Sequence, residues 1–234
     1  MRLSLLTYNI RLGVETDLRA VATAIAAAGA FDLIALQEVG EHWNMGERVD
    51  QAAVLAAHLS LPTHVFAGAL TDAQGGRYGI AVLARWPMDD IEVINLPREV
   101  DEQRVLLRAT LRAPVPVRVY STHLSIAEAE RTAQARFIAD ALAEEVGPVL
   151  LLGDLNDRPE SATLAVLNGL IDCFDACGEG ASETFSVRDP HRRIDYIRCG
   201  GGLVPAGTTQ VLRAARASDH FPLRAFVQIE AAPA

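Results

Sequence analysis

Cysteine is scarce in this chain: Cys173, Cys177 and Cys199 are the only three in 234 residues, an odd number without CxxC spacing. That excludes a disulfide framework and a cysteine-based zinc site, and fits a reducing compartment in which such residues act as small buried apolar groups. Long apolar runs are missing as well; no segment approaches the roughly 18 uninterrupted apolar residues of a membrane span. The opening MRLSLLTYNIRLG sets one arginine before a very short apolar run and has no small-residue cleavage site. It reads as a first strand rather than a signal peptide, so a cytoplasmic location is expected. Excess positive charge is also absent, the formal net charge being −9. Gripping a nucleic-acid backbone calls for a basic surface, so bulk charge argues against nonspecific DNA binding and leaves only a local basic groove as a route to it.

Neither repeats nor low-complexity blocks interrupt the chain, half of which is hydrophobic and 22% charged. A single domain over residues 1–234 is expected, with a disordered tail from about 229 to 234. Short apolar runs supply ten strand candidates: LSLLTY, DLIALQE, THVFAGA, YGIAVLA, IEVINL, RVLLRATL, VRVYSTHL, PVLLLGD, RIDYIRC and FPLRAFVQI. The middle four follow one another at hairpin distances, which predicts a largely antiparallel arrangement there. Residues 17–28 put Leu18, Val21, Ile25 and Ala28 on one helical face, with Gly29 as a stop signal. Asp50 is positioned to cap QAAVLAAHL. Ser125 and Glu128 have capping-box spacing ahead of a run that groups Ala133, Phe137 and Ala141, with Ile138 and Leu142 alongside. Together these predict an α/β (α+β) fold of two sheets packed face to face with helices outside.

The stretch LLGDLND, residues 151–157, drives an apolar run into two aspartates and an asparagine. A turn explains that cheaply, since Asp and Asn side chains bond the backbone two residues on. The same pattern recurs elsewhere. Asn9 follows LLTY, Glu38 follows LIALQ, His123 follows VYST, Asp195 sits inside RRIDYI, and Asp219 and His220 precede FPLRAF. Each has a bland explanation alone, as a solvated strand end, a hydrogen-bonded core histidine or a surface ion pair. Jointly they supply carboxylate, amide and imidazole at almost every polar interruption of an apolar run, which is what a hard-metal phosphoryl site requires.

In order along the chain, TYNI, LQEV, YGIAVLAR, STHL, GDLN, RIDYI and SDH resemble the motifs of the endonuclease/exonuclease/phosphatase superfamily. The resemblance covers nearly the whole chain. It implies a four-layer sandwich of two mixed, largely antiparallel sheets with the site at one edge, and a phosphohydrolase dependent on Mg²⁺ or Mn²⁺. Glu38 is then the metal ligand, with Asn9 and Asp219 near the metal's shell; Mg²⁺ takes oxygen ligands and is held by one or two carboxylates plus substrate phosphate. Asp154 orients and deprotonates the attacking water, and Asn156 donates to a phosphoryl oxygen. Asp195 and His220 resemble the family's carboxylate–imidazole pair, in which the acid fixes the ring's tautomer and favours its cationic form.

His123 carries the histidine version of its motif, as in the deoxyribonuclease I-like and sphingomyelinase-like branches, where it binds phosphate or protonates the leaving group. Exonuclease III-like repair enzymes have a Tyr and Asn arrangement there instead. Arg11 stands where abasic-site endonucleases often have an Asp. Several branches precede the YG motif with an acid that supports the histidine; here Gly76 and Arg77 precede Tyr78, so His123 needs another partner or acts only as a donor. Loop 39–49 is the natural place for substrate selection. Trp43 and Met45 are candidates for contacting an organic leaving group, and Arg48 for a second phosphate; the competing reading is a solvated loop with Trp43 packed on the body. The expected substrate is a small or lipid-like phosphoester, a phosphodiester by preference. A nuclease of the same fold is the alternative, with a basic rim of Arg11, Arg48, Arg77 and Arg104; a catalytically silent binding module is a weaker one. No protein partner is expected.

Overall fold

Leu5 and Leu6 are both fully buried although they point to opposite faces of one strand, and Leu151 stands in the same relation to Leu150 and Leu152. Side chains alternate faces along a strand, so an unbroken apolar run marks a strand covered on both sides. In the computed structural model, which describes residues 1–229, this holds for the central strands of both sheets. The chain runs β1 (Arg2–Asn9), α1 (Leu18–Ala27), β2 (Leu33–Glu41), α2 (Gln51–His58), β3 (Thr63–Thr71), β4 (Arg77–Ala84), β5 (Met88–Asn95), β6 (Val105–Leu111), β7 (Val117–His123) and α3 (Glu128–Ala143). It continues as β8 (Val149–Asp154), α4 (Ala162–Val166), β9 (Ile171–Asp172), α5 (Cys173–Cys177), β10 (Asp195–Gly200), β11 (Leu203–Pro205), β12 (Gln210–Val211) and β13 (Leu223–Ile229).

One sheet has the order β11-β13-β1-β2-β4-β3, with β12 also on β13; the other has the order β5-β6-β7-β8-β10-β9. Each contains a single parallel pair, β1 with β2 and β7 with β8, and every other pairing is antiparallel. Both parallel pairs are joined through a helix, α1 and α3, as crossover geometry demands. Leu5, Val82, Leu107, Leu150 and Ile197 fill the space between the sheets. Leu6, Leu36, Val21, Ile25 and Leu55 join the first sheet to α1 and α2. Leu106, Tyr120, Leu151, Ile138 and Leu164 join the second to α3 and α4. The result is the expected four-layer α/β sandwich.

The four middle strands are largely antiparallel, as expected, although β4 pairs with β2 and β3 and the chain crosses to the second sheet before β5. Two local expectations need correcting. Helix α3 has no side-chain cap, because Ser125 Oγ instead donates to Asp101 at 2.8 Å and accepts from Ala127 N. The buried face of α3 is Glu130, Arg131, Gln134, Ala135 and Ile138, which leaves Ala133 and Phe137 exposed. The helix termini at Asp17 and Asp50 are as expected, each aspartate accepting from the backbone N–H three residues on. Of the expected tail, Ile229 is the last residue of β13 and pairs with Leu203, while 230–234 lie outside the described residues.

Candidate active site

The carboxyl ends of both parallel pairs come to one edge of the sandwich. Asn9 closes β1, His123 closes β7 and Asp154 closes β8, with His123 level with Asp154 and Asp195 directly opposite Asp154 on β10. Gly153 admits the approach of β7 at φ +151°; a Cβ there would lie 2.0 Å from the Thr122 carbonyl oxygen. Glu38 occupies a bulge, for the β2–β4 pairing jumps from Gln37↔Ile80 to Val39↔Gly79 and Glu38 takes φ 54°. Leu36 and Val39 both stay in the helix-side core. The extra residue between them is thus released from the alternation and turned toward the sheet end, a common use of bulges.

One side chain ties the two sheets together here. Asn9 Nδ2 donates to Glu38 Oε1 at 2.9 Å and to Asp154 Oδ2 at 3.1 Å, while its Oδ1 accepts from Arg11 N at 3.1 Å. That backbone donor requires an oxygen, which fixes the amide's orientation. Asn9 therefore presents NH₂ rather than oxygen to both carboxylates, and holds Glu38 in position instead of competing for a cation. Asp154 Oδ1 accepts from Asn156 N at 2.9 Å. The turn reading of LLGDLND is thus also correct: the Asp-Leu-Asn turn holds Asn156 at φ 53°, with one amide hydrogen on the Leu124 carbonyl at 2.8 Å and the other free to donate.

Two histidines converge on Asp154, with Nε2 of His123 at 3.5 Å and Nε2 of His220 at 3.7 Å from its Oδ2. Their other nitrogens differ. His220 Nδ1 donates to Asp195 Oδ2 at 2.9 Å. His123 Nδ1 accepts from Arg104 Nη1 at 3.0 Å, a guanidinium being donor only. The proton of His123 consequently sits on Nε2, facing Asp154. Arg104 is itself buried, with Glu102 at 3.1 Å and Asp101 at 3.7 Å.

The charges follow from these partners. Burial pushes the Asp154 pKa up, the Asp195 carboxylate adds to it, and together they outweigh His220 and the Asn9 and Asn156 hydrogen bonds to bring it to about 7. Burial disfavours a cationic His220, but the charge and hydrogen bond of Asp195, with Asp154 behind it, raise its pKa to about 9. Burial first, then the positive charges of Arg104 and His220, hold His123 well below the ordinary histidine range. The site thus combines a base titrating near neutrality, a cationic imidazole and a neutral imidazole that donates.

Glu38 is half-buried; Oε1 is bound to Asn9 and Oε2 has no hydrogen-bond partner among the described residues. A half-buried carboxylate with one free oxygen fits a hard divalent cation, whose remaining ligands would be water and substrate phosphate oxygens. Asp154, Asp195 and His220 also bring ligand atoms within 4.8 Å of one another. That trio suits a metal less well, since the His220–Asp195 hydrogen bond already occupies one atom of each.

The family model for the Endonuclease/Exonuclease/phosphatase family matches residues 6–220. The chain belongs to that family. Its structure is similar to an endonuclease/exonuclease/phosphatase from Beutenbergia cavernae DSM 12333, with 24% identity and TM-score 0.87 over 99% of this chain and 72% of that one. It is also similar to a mannosyl-6-phosphatase from Bacteroides thetaiotaomicron VPI-5482, with 17% identity and TM-score 0.79 over 97% and 99% of the two chains. A third similar structure is sphingomyelinase C from Streptomyces griseocarneus, with 22% identity and TM-score 0.73 over 97% and 98%. At these identities the likeness establishes the fold. No curated protein matches the chain.

Among the residues expected at this endonuclease/exonuclease/phosphatase site, Asn9, Glu38, His123, Asp154, Asn156, Asp195 and His220 form one connected group. Asp219 lies at its margin, accepting from Ser218 Oγ at 3.2 Å and standing 3.4 Å from Arg11 Nη1. Arg11 is also paired with Glu15, and Arg77 with Glu41. Trp43 packs against Tyr78 at 5.7 Å between ring centroids, and Arg48 is exposed on its loop. Sequence reasoning assigned no site role to Thr184 or Phe185 and treated Arg104 as a rim residue. Thr184 Oγ1 accepts from Ile194 N and Asp195 N at 3.1 and 3.2 Å; the Phe185 ring lies 4.8 Å from that of His220. Arg104 was legible in principle, because the β6–β7 register of Leu106↔Thr122 brings the start of β6 beside His123.

Proposed function

We propose that the chain is a single-domain Mg²⁺- or Mn²⁺-dependent phosphoester hydrolase acting on a small or lipid-like phosphoester, a phosphodiester by preference, and that it works in the cytoplasm. The observation that carries this is the unbroken connection Glu38–Asn9–Asp154, with His123 and His220 on the same carboxylate oxygen. Glu38 holds the metal, with Asp219 nearby. The metal supplies positive charge to the phosphoryl oxygens. Asp154 orients the water and takes its proton, a task suited to a base whose pKa lies near the working pH. Cationic His220, held by Asp195, binds the phosphoryl group, while Asn156 and the Nε2–H of His123 donate to its oxygens as charge develops there.

The nuclease alternative needs a continuous basic rim. Arg104 is buried, and Arg11 and Arg77 are spent on carboxylates, so of the four arginines only Arg48 is exposed without an ion pair among the described residues. Together with a net charge of −9, this favours the small substrate. A silent binding module has no physical reason to retain a buried base and two differently tuned histidines. A cytoplasmic setting is consistent with three unpaired cysteines; no helix among the described residues is long and apolar enough to cross a membrane. The test is a metal-dependent screen over phosphomonoesters, phosphodiesters, phosphoinositides and oligonucleotides, run beside the Glu38→Gln variant. Turnover of a small phosphoester by the wild type alone is expected; turnover confined to oligonucleotides would overturn the reading.

A further inference from the structure

Beside Asn156 lies a cavity of about 210 Å³ lined also by Ile126, Arg131, Asp157, Arg158, Arg192 and Ile194. Its two wall charges of opposite sign cancel: Arg131 Nε donates to Asp157 at 3.0 Å, and Arg131 Nη1 is bound to the Ser125 and Ile126 carbonyls at 3.1 and 2.9 Å. The side chains of Arg158 and Arg192 have no carboxylate or hydrogen-bond partner among the described residues. Arg192 is half-buried, its Nε is buried without a hydrogen bond, and its guanidinium is held 4.7 Å over the Phe185 ring. Because that ring in turn lies against His220, the cation is anchored to the catalytic edge rather than free in solvent. The chain contains no lysine, so all 21 of its basic side chains are arginines, the planar forks suited to binding oxyanions through two hydrogen bonds.

We propose that this cavity receives a second phosphate of the substrate, carried on the group beyond the scissile phosphoryl, with Arg158 and Arg192 as its binding residues. The inference rests on the proposed function of the neighbouring site, because Asn156 is both the phosphoryl donor there and one wall here. The cavity is smaller than the roughly 300–1,000 Å³ of a typical small-molecule pocket, so it suits one anionic head group and not a whole ligand. The selected substrate is thus a compact molecule bearing two phosphoryl groups.

The experiment is calorimetric and independent of turnover: metal-free protein is titrated with propane-1,3-diol bisphosphate and with propyl phosphate. The wild type is expected to bind the bisphosphate about tenfold or more the tighter, the scale of one or two charge-assisted hydrogen bonds. In Arg158→Gln/Arg192→Gln, which removes both charges and keeps polar side chains at both positions, that ratio should fall to about two or less, the statistical advantage of carrying two phosphates. Equal affinities in the wild type, or a preference that survives in the variant, would overturn the subsite. A preference that is lost in the variant, in a protein that hydrolyses no phosphoester, would uphold the subsite and reject the hydrolase reading.

Discussion

The Arg104 guanidinium donates to His123 across 3.0 Å, so the histidine at the end of β7 leans on a cation and not on a carboxylate. A carboxylate partner would favour imidazolium; a guanidinium forbids it and assigns the remaining proton to Nε2. In Arg104→Gln the amide still donates to Nδ1, but the charge is gone, so the His123 pKa should rise toward the ordinary value. Titration of the histidine ring protons by NMR reads this directly. No upward movement of His123 would refute the account of its neutrality.

Glu38→Gln keeps the shape and the Asn9 contact on one oxygen while removing the charge a divalent ion requires. Metal-stimulated hydrolysis should drop by about three decades, the scale of several kcal/mol of lost charge stabilisation, with the circular dichroism spectrum unchanged. Full activity at the wild-type metal concentration would sink the assignment.

Asp154 links activity to stability with opposite signs. Its folded pKa of about 7 stands above the ordinary aspartate value of about 3.9. Between these two values the folded state holds a proton that the unfolded chain has released, so stability falls as pH rises through that window. His220 acts in the next window. Its folded pKa of about 9 exceeds 6.5, so its contribution is full below about 6.5 and is lost as pH rises through 9. Metal-free wild type should melt at progressively lower temperature from about pH 5 to 9. Asp154→Asn should be flatter over the lower half, melt higher than wild type near pH 8, and lose kcat far more than KM. A melting temperature that climbs between pH 5 and 7 would contradict the raised pKa.

The alkaline limb of the pH–rate profile should belong to His220. Activity should decline as pH rises through about 9, where the cation is lost. Removing the charge in Asp195→Asn should move that limb to lower pH, since burial then acts with less opposition. The same limb in both proteins would break the proposed pairing.

Substrate class has its own comparison. Turnover of a small activated phosphodiester should exceed that of duplex or abasic-site DNA under identical metal conditions and depend little on added salt, because few phosphate contacts mean little counterion release. Efficient DNA cleavage that the Glu38→Gln protein lacks, collapsing between low and physiological salt, would establish the nuclease instead.

The long strands were legible because burial on both faces writes unbroken leucine and valine runs, and the connected site residues were legible because strand ends are where polar groups interrupt such runs. The phase of α3 was not. Its inner face includes Glu130, which accepts from Glu99, Val100 and Asp101 N, and Gln134, which binds Ser125 N and the Pro97 carbonyl. A helix that packs on loops buries hydrogen-bonding residues, so hydrophobic periodicity points to the wrong side. Strands β9, β11 and β12 span two or three residues each, too few to show a period. Arg104 was misread because a strand arginine ordinarily faces water, and only the hairpin register reveals its neighbour.

Strand β13 lies between β1 and β11, and His220 stands three residues before its first residue, Leu223. Strand β1, the earliest of the described strands in chain order, therefore waits for β13, the latest of them. Until residues near 229 emerge, β1 has an unpaired backbone edge on one side, open to pairing with other chains. Every nascent or C-terminally clipped form that ends before His220 lacks the cationic imidazole as well. The proposed phosphate-binding cation and the cover of that edge thus arrive together, and a polypeptide cut short before them is expected to lack the one and expose the other.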